Sequence, residues 1–173
     1  MAREIEIVTG ANRDLVTFLS NAGARFFVFG GTATRFWAPG RRAPEDLDLM
    51  LEPSAAMLVT INRALGSVGE PPIIATPEEF TRGNRGAPFK GPAHSLNADL
   101  LTPPTGVDFA EHWATAEEAT MNLTSVPVRV GSIDTLELLL GIGLEREPAR
   151  AKSISEDLAW LARARRARGR GGP

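Results

Sequence analysis

Apolar residues fall along this chain in short blocks, separated by glycine, proline and polar turns. Leu15, Phe18 and Leu19 recur at helical spacing behind Asn12, a residue type that caps helices, and Gly23 ends that segment. Arg25–Phe29 is a compact apolar and aromatic run, which predicts a buried strand stopping at Gly30-Gly31. Residues 32–37 predict a short helix closed by Pro39-Gly40. From about Asp46 to Leu51 the alternation predicts a strand, with Leu47, Leu49 and Leu51 toward the core and Asp46 and Asp48 on the opposite face. Ser54 caps a predicted helix reaching about Gly66, and residues 73–75 read as a brief strand. Glycines and prolines interspersed with Arg82, Arg85 and Lys90 make residues 81–93 a mobile loop. Alternation returns over 95–101, with Leu96, Ala98 and Leu100 on one face and Ser95, Asn97 and Asp99 on the other. A helix from Asp108, a strand over 126–130 and a helix through Leu144 follow, the last begun by the capping-box pattern Asp134-x-x-Glu137. Pro148 opens a final helix running to about Arg168. The expected architecture is α/β (α+β): a mixed sheet over residues 1–131, flanked by helices, with a helical segment packed on it over 132–168. The last residues, 169–173, are expected to be disordered.

Composition adds few constraints to this outline. The chain has 173 residues, 43% of them hydrophobic and 23% charged, which is ordinary globular usage and enough apolar material for a core. The absence of cysteine excludes disulfides, a thiol nucleophile and a cysteine-ligated zinc site. No apolar run is long enough to cross a membrane, and Met1–Glu6 lacks the apolar stretch of a signal peptide, so a cytoplasmic protein is expected. Charge is more informative. Residues 146–173 carry eight basic groups against three acidic ones, a net +5, whereas residues 1–145 carry −7 of the total −2. A basic end on an acidic body suggests a polyanionic partner.

The candidate chemistry starts at Asp46-Leu47-Asp48. Two carboxylates on one strand face repel each other and raise each other's pKa, a cost that a bound divalent cation removes. Hard oxygen ligands at this spacing suit Mg2+ or Mn2+. Upstream, Gly30-Gly31 ends a strand at a helix start, where a phosphate can approach the backbone and meet free N–H donors. Downstream, the strand around Asp99 brings a third carboxylate to the same face. A phosphate cradle beside three acids is a constellation for phosphoryl or nucleotidyl transfer. His94, in a loop before the Asp99 strand, is a weaker candidate for a base or a nucleobase contact. His112 and Trp37 read as packing residues.

The stretch from Phe27 through Gly30-Gly31-Thr32, Arg41-Arg42 and Glu45-Asp46-Leu47-Asp48 resembles the signature of the nucleotidyltransferase superfamily, with its polymerase-beta-like fold. It is most similar to the small bacterial branch of AbiEii-type and MenT-type toxins. Such relatives carry a lysine in the helix after the last strand; residues 138–143 here lack it, and Ser153 stands where an acid is common, which shifts the basic role to Arg146, Arg150 and Lys152. The resemblance implies transfer of a nucleoside monophosphate from an NTP to an acceptor hydroxyl. Asp46, Asp48 and Asp99 would hold metal, two ions about 4 Å apart. Gly30, Gly31, Thr32, Arg42, Arg150 and Lys152 would bind the phosphates. It further implies an RNA acceptor such as tRNA and a cognate antitoxin. The alternatives are a small-molecule (antibiotic) acceptor, or a catalytically inactive binding module of the same fold.

Overall fold

The computed structural model describes residues 3–90 and 95–169. In chain order the elements are β1 (Arg3–Ile5), α1 (Gly10–Asn21), β2 (Phe26–Phe29), α2 (Gly30–Trp37), β3 (Leu47–Leu51), α3 (Ala55–Ser67), α4 (Pro77–Thr81), β4 (Gly86–Phe89), β5 (Ala98–Leu101), α5 (Phe109–Ala114), β6 (Glu117–Met121), β7 (Pro127–Val130), α6 (Ile133–Arg146) and α7 (Ala151–Gly169). The seven strands form one mixed sheet in the order β1-β6-β7-β2-β3-β5-β4. At its centre β2 runs antiparallel to β3, and β3 runs parallel to β5. This is the α/β architecture expected from the pattern.

Local sequence explains most element ends, with some changes of role. The hydroxyl of Ser54 accepts from the Met57 N–H and caps α3, and Asp108 caps α5 through the Glu111 N–H. Asn12 is not the cap of α1. Thr9 takes that place, and Asn12 is buried inside the helix, where its side-chain amide exchanges hydrogen bonds with the Asn97 backbone at 3.1 and 3.2 Å. Gly23, at φ +67°, follows the helix as expected. Ser132 caps α6, so Asp134 lies within its first turn. Pro148 opens a 3₁₀ turn, Pro148–Arg150, that leads into α7.

Three segments correct the expected outline. Part of the expected loop 81–93 is the edge strand β4, fixed by Phe89, which is buried and pairs with Ala98. Pro88 is tolerated there because β4 has a neighbour on one side only. Residues 73–75 form no strand: Ile74 is 93% exposed, and Ile73 is held instead by the Asn62 side chain. Strands β1 and β6 had no signal, being short and, in β6, opened by two glutamates.

The main core gathers Leu47, Leu49 and Leu51 of β3, Ala98 and Leu100 of β5, and apolar residues of α1 and α3 such as Leu15, Leu19, Ile61 and Leu65. Phe27, Met50, Phe109 and Ala116 form a second cluster, in which the Phe27, Phe109 and Trp113 rings stack in series. Helices α6 and α7 pack on each other and on α2, and their Leu136, Leu161 and Ala164 join the main core. The sequence at 170–173, including most of the expected tail, lies outside the described residues, as does His94.

Candidate active site

Parallel pairing of β3 with β5 sets Asp48 directly opposite Asp99. On the other flank of β3, Asp48 pairs with Phe29, so the chain turns into α2 immediately beside its carboxylate. That turn needs glycine. Gly30 adopts φ +62°, and a Cβ there would stand 1.9 Å from Asp48 Oδ2. Asp46 lies just before β3 and is fixed by its backbone. Its carbonyl accepts from the Thr32 hydroxyl at 3.1 Å, and the Asn97 amide donates to the Glu45 carbonyl. The three carboxylates therefore line one cleft of about 790 Å³.

The cleft brings together most of the residues named from the sequence. Gly30, Gly31, Arg42 and Arg150 line it with Asp46, Asp48 and Asp99. No side chain caps the first turn of α2 at this point, so its N–H groups stay available to an anion. Arg42 is exposed, 3.7 Å from Glu45, and Arg150 lies 3.2 Å from Glu147. Thr32 and Lys152 are placed elsewhere. Thr32 is buried and spends its hydroxyl on the Asp46 carbonyl, bracing the strand entry, while Lys152 is exposed and does not line the cleft. His112 Nδ1 lies 2.9 Å from the Thr135 hydroxyl, and the Trp37 indole donates to the Gly131 carbonyl, so both serve packing as expected.

Two features of the site escaped the sequence reading. The first is a clamp: Arg41 Nε and Nη2 donate to the two carboxylate oxygens of Asp157 at 2.5 and 2.9 Å, a bidentate pair that is largely buried. Arg41 thereby lies across Gly31 and ties α7 to the start of α2. The second is Lys90, at the end of β4. Its Nζ lies 2.5 Å from Asp46 Oδ2 and 3.0 Å from Asp99 Oδ2. The only sequence signal for Lys90 is rarity, since it is one of two lysines in an arginine-rich chain.

Electrostatics mark Asp48. Burial, then the neighbouring charges of Asp46 and Asp99, push its pKa up to about 7, with Lys90 and Arg150 opposing. Asp99 Oδ1 is buried with no hydrogen-bond partner. A raised carboxylate and an orphaned carboxylate oxygen are what a site deficient in positive charge shows, so the donors fit a divalent cation. Among the described residues, however, no group of three or more His, Asp or Glu side chains stands as a ready-made cage. Mg2+ commonly binds through one or two carboxylates completed by substrate phosphates, and Asp46 with Asp48 can supply that part.

The arginines beyond Asp157 point to other work. Arg163 lies over Trp160, Arg168 lies over Trp37, and Arg165 pairs with Asp134 and Glu137; none lines the cleft. Among the described residues no helix is long and apolar enough to cross a membrane.

No family model matches the sequence, and no curated protein matches it. Solved structures do resemble the chain. An antigenic nucleotidyltransferase-like protein from Paracoccidioides brasiliensis aligns at 15% identity and a TM-score of 0.46, over 86% of this chain and 75% of that one. The crystal structure of ANT(2")-Ia in complex with adenylyl-2"-tobramycin aligns at 16% identity and a TM-score of 0.51, covering 88% of this chain and 86% of the other. With that overlap over nearly the whole length, the chain has the nucleotidyltransferase-like fold.

Proposed function

We propose that this protein transfers a nucleoside monophosphate from an NTP to an acceptor hydroxyl, releasing pyrophosphate, and that the acceptor is RNA, such as tRNA. The observation that carries the reading is the register of Asp48 against Asp99, with Gly30 pressed against Asp48 at the mouth of a helix. In the reaction the acceptor oxygen bonds to the α-phosphorus, the bond from that phosphorus to the bridging oxygen of the leaving pyrophosphate breaks, and the hydroxyl proton passes to the Asp99 carboxylate. Asp46 and Asp48 hold the divalent cation, which when bound screens the triphosphate and polarises the phosphorus. Gly30 and Gly31 leave room for phosphate oxygens against the N–H groups of α2. Arg41, oriented by Asp157, and Arg150 on the rim face the phosphates and the charge that builds on the leaving group.

Charge on the rim supports that acceptor. Of the six acids lining the cleft, five face a basic side chain and Asp48 is left for the cation. Asp46 and Asp99 hold Lys90, Glu45 and Glu147 face Arg42 and Arg150, and Asp157 holds Arg41. Little acidic surface remains there for a polycationic acceptor, whereas Arg146, whose guanidinium meets the Asn84 side chain and no acid among the described residues, offers positive charge to a phosphodiester chain. As the toxin of a toxin–antitoxin pair, such an enzyme would act by blocking the RNA that it modifies, with the antitoxin as its protein partner. The test supplies each α-labelled NTP in turn with Mg2+ and total RNA, beside the double variant Asp46→Asn/Asp48→Asn. Label in an RNA band, absent from the variant, is expected. Label on added tobramycin but not on RNA would refute the acceptor and keep the transfer. No labelled product with any NTP on either acceptor would refute both.

A further inference from the structure

We infer that Lys90 is a built-in cation of the carboxylate site, standing where a second divalent ion would bridge Asp46 and Asp99, so that the site takes a single Mg2+ or Mn2+ on Asp46 and Asp48. The inference rests on the nucleotidyl-transfer reading and alters the two-ion expectation drawn from the sequence.

The placement of Lys90 follows from the sheet. In β4, Pro88 is opposite Asp99 and Phe89 is opposite Ala98. Phe89 and Ala98 are both buried, which fixes the inward face of the strand. Alternation then turns Lys90, one residue on, to the face that carries Asp99. From there its ammonium reaches both Asp99 Oδ2 and Asp46 Oδ2, at 3.0 and 2.5 Å. A divalent ion bridging the same two oxygens would need to lie about 2.0–2.2 Å from each, inside the volume that Nζ fills. The ammonium and a second ion exclude one another.

The Asp46–Asp99 gap is thus occupied by the chain itself, and Asp48, beside Gly30 and the start of α2, remains for the ion that meets the triphosphate.

The experiment counts ions rather than turnover. Mn2+ is titrated into the full chain without nucleotide, and free Mn2+ is read by electron paramagnetic resonance. The wild type should bind one Mn2+ per chain, Lys90→Gln two, and Lys90→Arg one, since Arg keeps the charge. Lys90 is 43% exposed in its side chain, so both variants should fold, and their thermal melts check this. Two ions on the wild type, or one ion on Lys90→Gln, would overturn the inference. Where that single ion is also lost in Asp46→Asn/Asp48→Asn, the transferase reading stands without Lys90. No Mn2+ on any form would overturn the inference, and the label-transfer assay then decides the transferase reading by itself.

Discussion

The two faces of β3 and β5 are made by the same residues taken alternately, and they behave in opposite ways. On one face Leu47, Leu49, Leu51, Ala98 and Leu100 are sealed in the main core. On the other, Asp48 and Asp99 open onto the cleft. The first face contributes stability and the second consumes some, because burial, and then the like charges of Asp46 and Asp99, push the Asp48 pKa up to about 7. Burial of the leucines is what holds the carboxylates in register, since a one-residue slip would carry Asp48 into the core and Leu49 into the cleft. The strained face is affordable only because its reverse is fully packed.

The largest effect that separates the faces should come from Asp48→Asn. Transfer should fall on the order of 10³-fold, as expected when a metal ligand at the reacting phosphate is lost, while the fold is retained. Its stability should show the opposite sign. An ordinary carboxylate titrates near 4 and Asp48 near 7, so the folded wild type holds the extra proton between those values and loses stability as pH rises through that window. The variant should lack this loss and, without metal, melt higher than the wild type above pH 7. Thermal melts from pH 4 to 8, beside the label-transfer assay, check both halves.

Leu49→Ala probes the packed face one residue away. It should cost about 3 kcal/mol in urea unfolding, with activity per folded molecule nearly unchanged. A selective loss of turnover in that variant would break the division of labour between the faces. The smallest effect is expected from Asp157→Asn, which cuts the clamp that orients Arg41 without touching either strand. Stability should drop by about 1–2 kcal/mol, and KM for the NTP should rise more than kcat falls. Urea melts and steady-state kinetics distinguish this from a purely structural role.

Much of this arrangement was legible in the residues, and the reasons it was not elsewhere are physical. Alternation in Leu47–Leu51, broken by the buried Met50, and in Leu96–Leu100 declares both strands and their faces. The Ser54 cap is local and reads directly from the sequence, whereas Ser132, two residues ahead of Asp134, takes the cap of α6. Asn12 misled because the same amide that caps helices also satisfies buried backbone, and Asn97 claims it. Strand β4 hid in a glycine- and proline-rich stretch because an edge strand with one partner tolerates both. Lys90 and the Arg41–Asp157 clamp join residues far apart in sequence, and no spacing rule announces such a meeting. The resemblance implies a phosphate ligand at Thr32, whereas the fold turns its hydroxyl toward the Asp46 carbonyl.

The pairing of β1 sets a condition on synthesis. Arg3, Glu4 and Ile5 pair in parallel with Ala119, Thr120 and Met121, and the Ile7 N–H donates to the Asn122 side chain. Strand β1 is thus made more than a hundred residues ahead of the strand it pairs with. At roughly 5–20 residues per second, Ile5 and Ile7 wait several seconds in water before β6 emerges. Their burial closes one edge of the sheet late, and the long sequence separation makes that closure slow as well. A nascent chain stalled before residue 117 would present two bare isoleucines, and with them a binding site for chaperones that the finished protein no longer has.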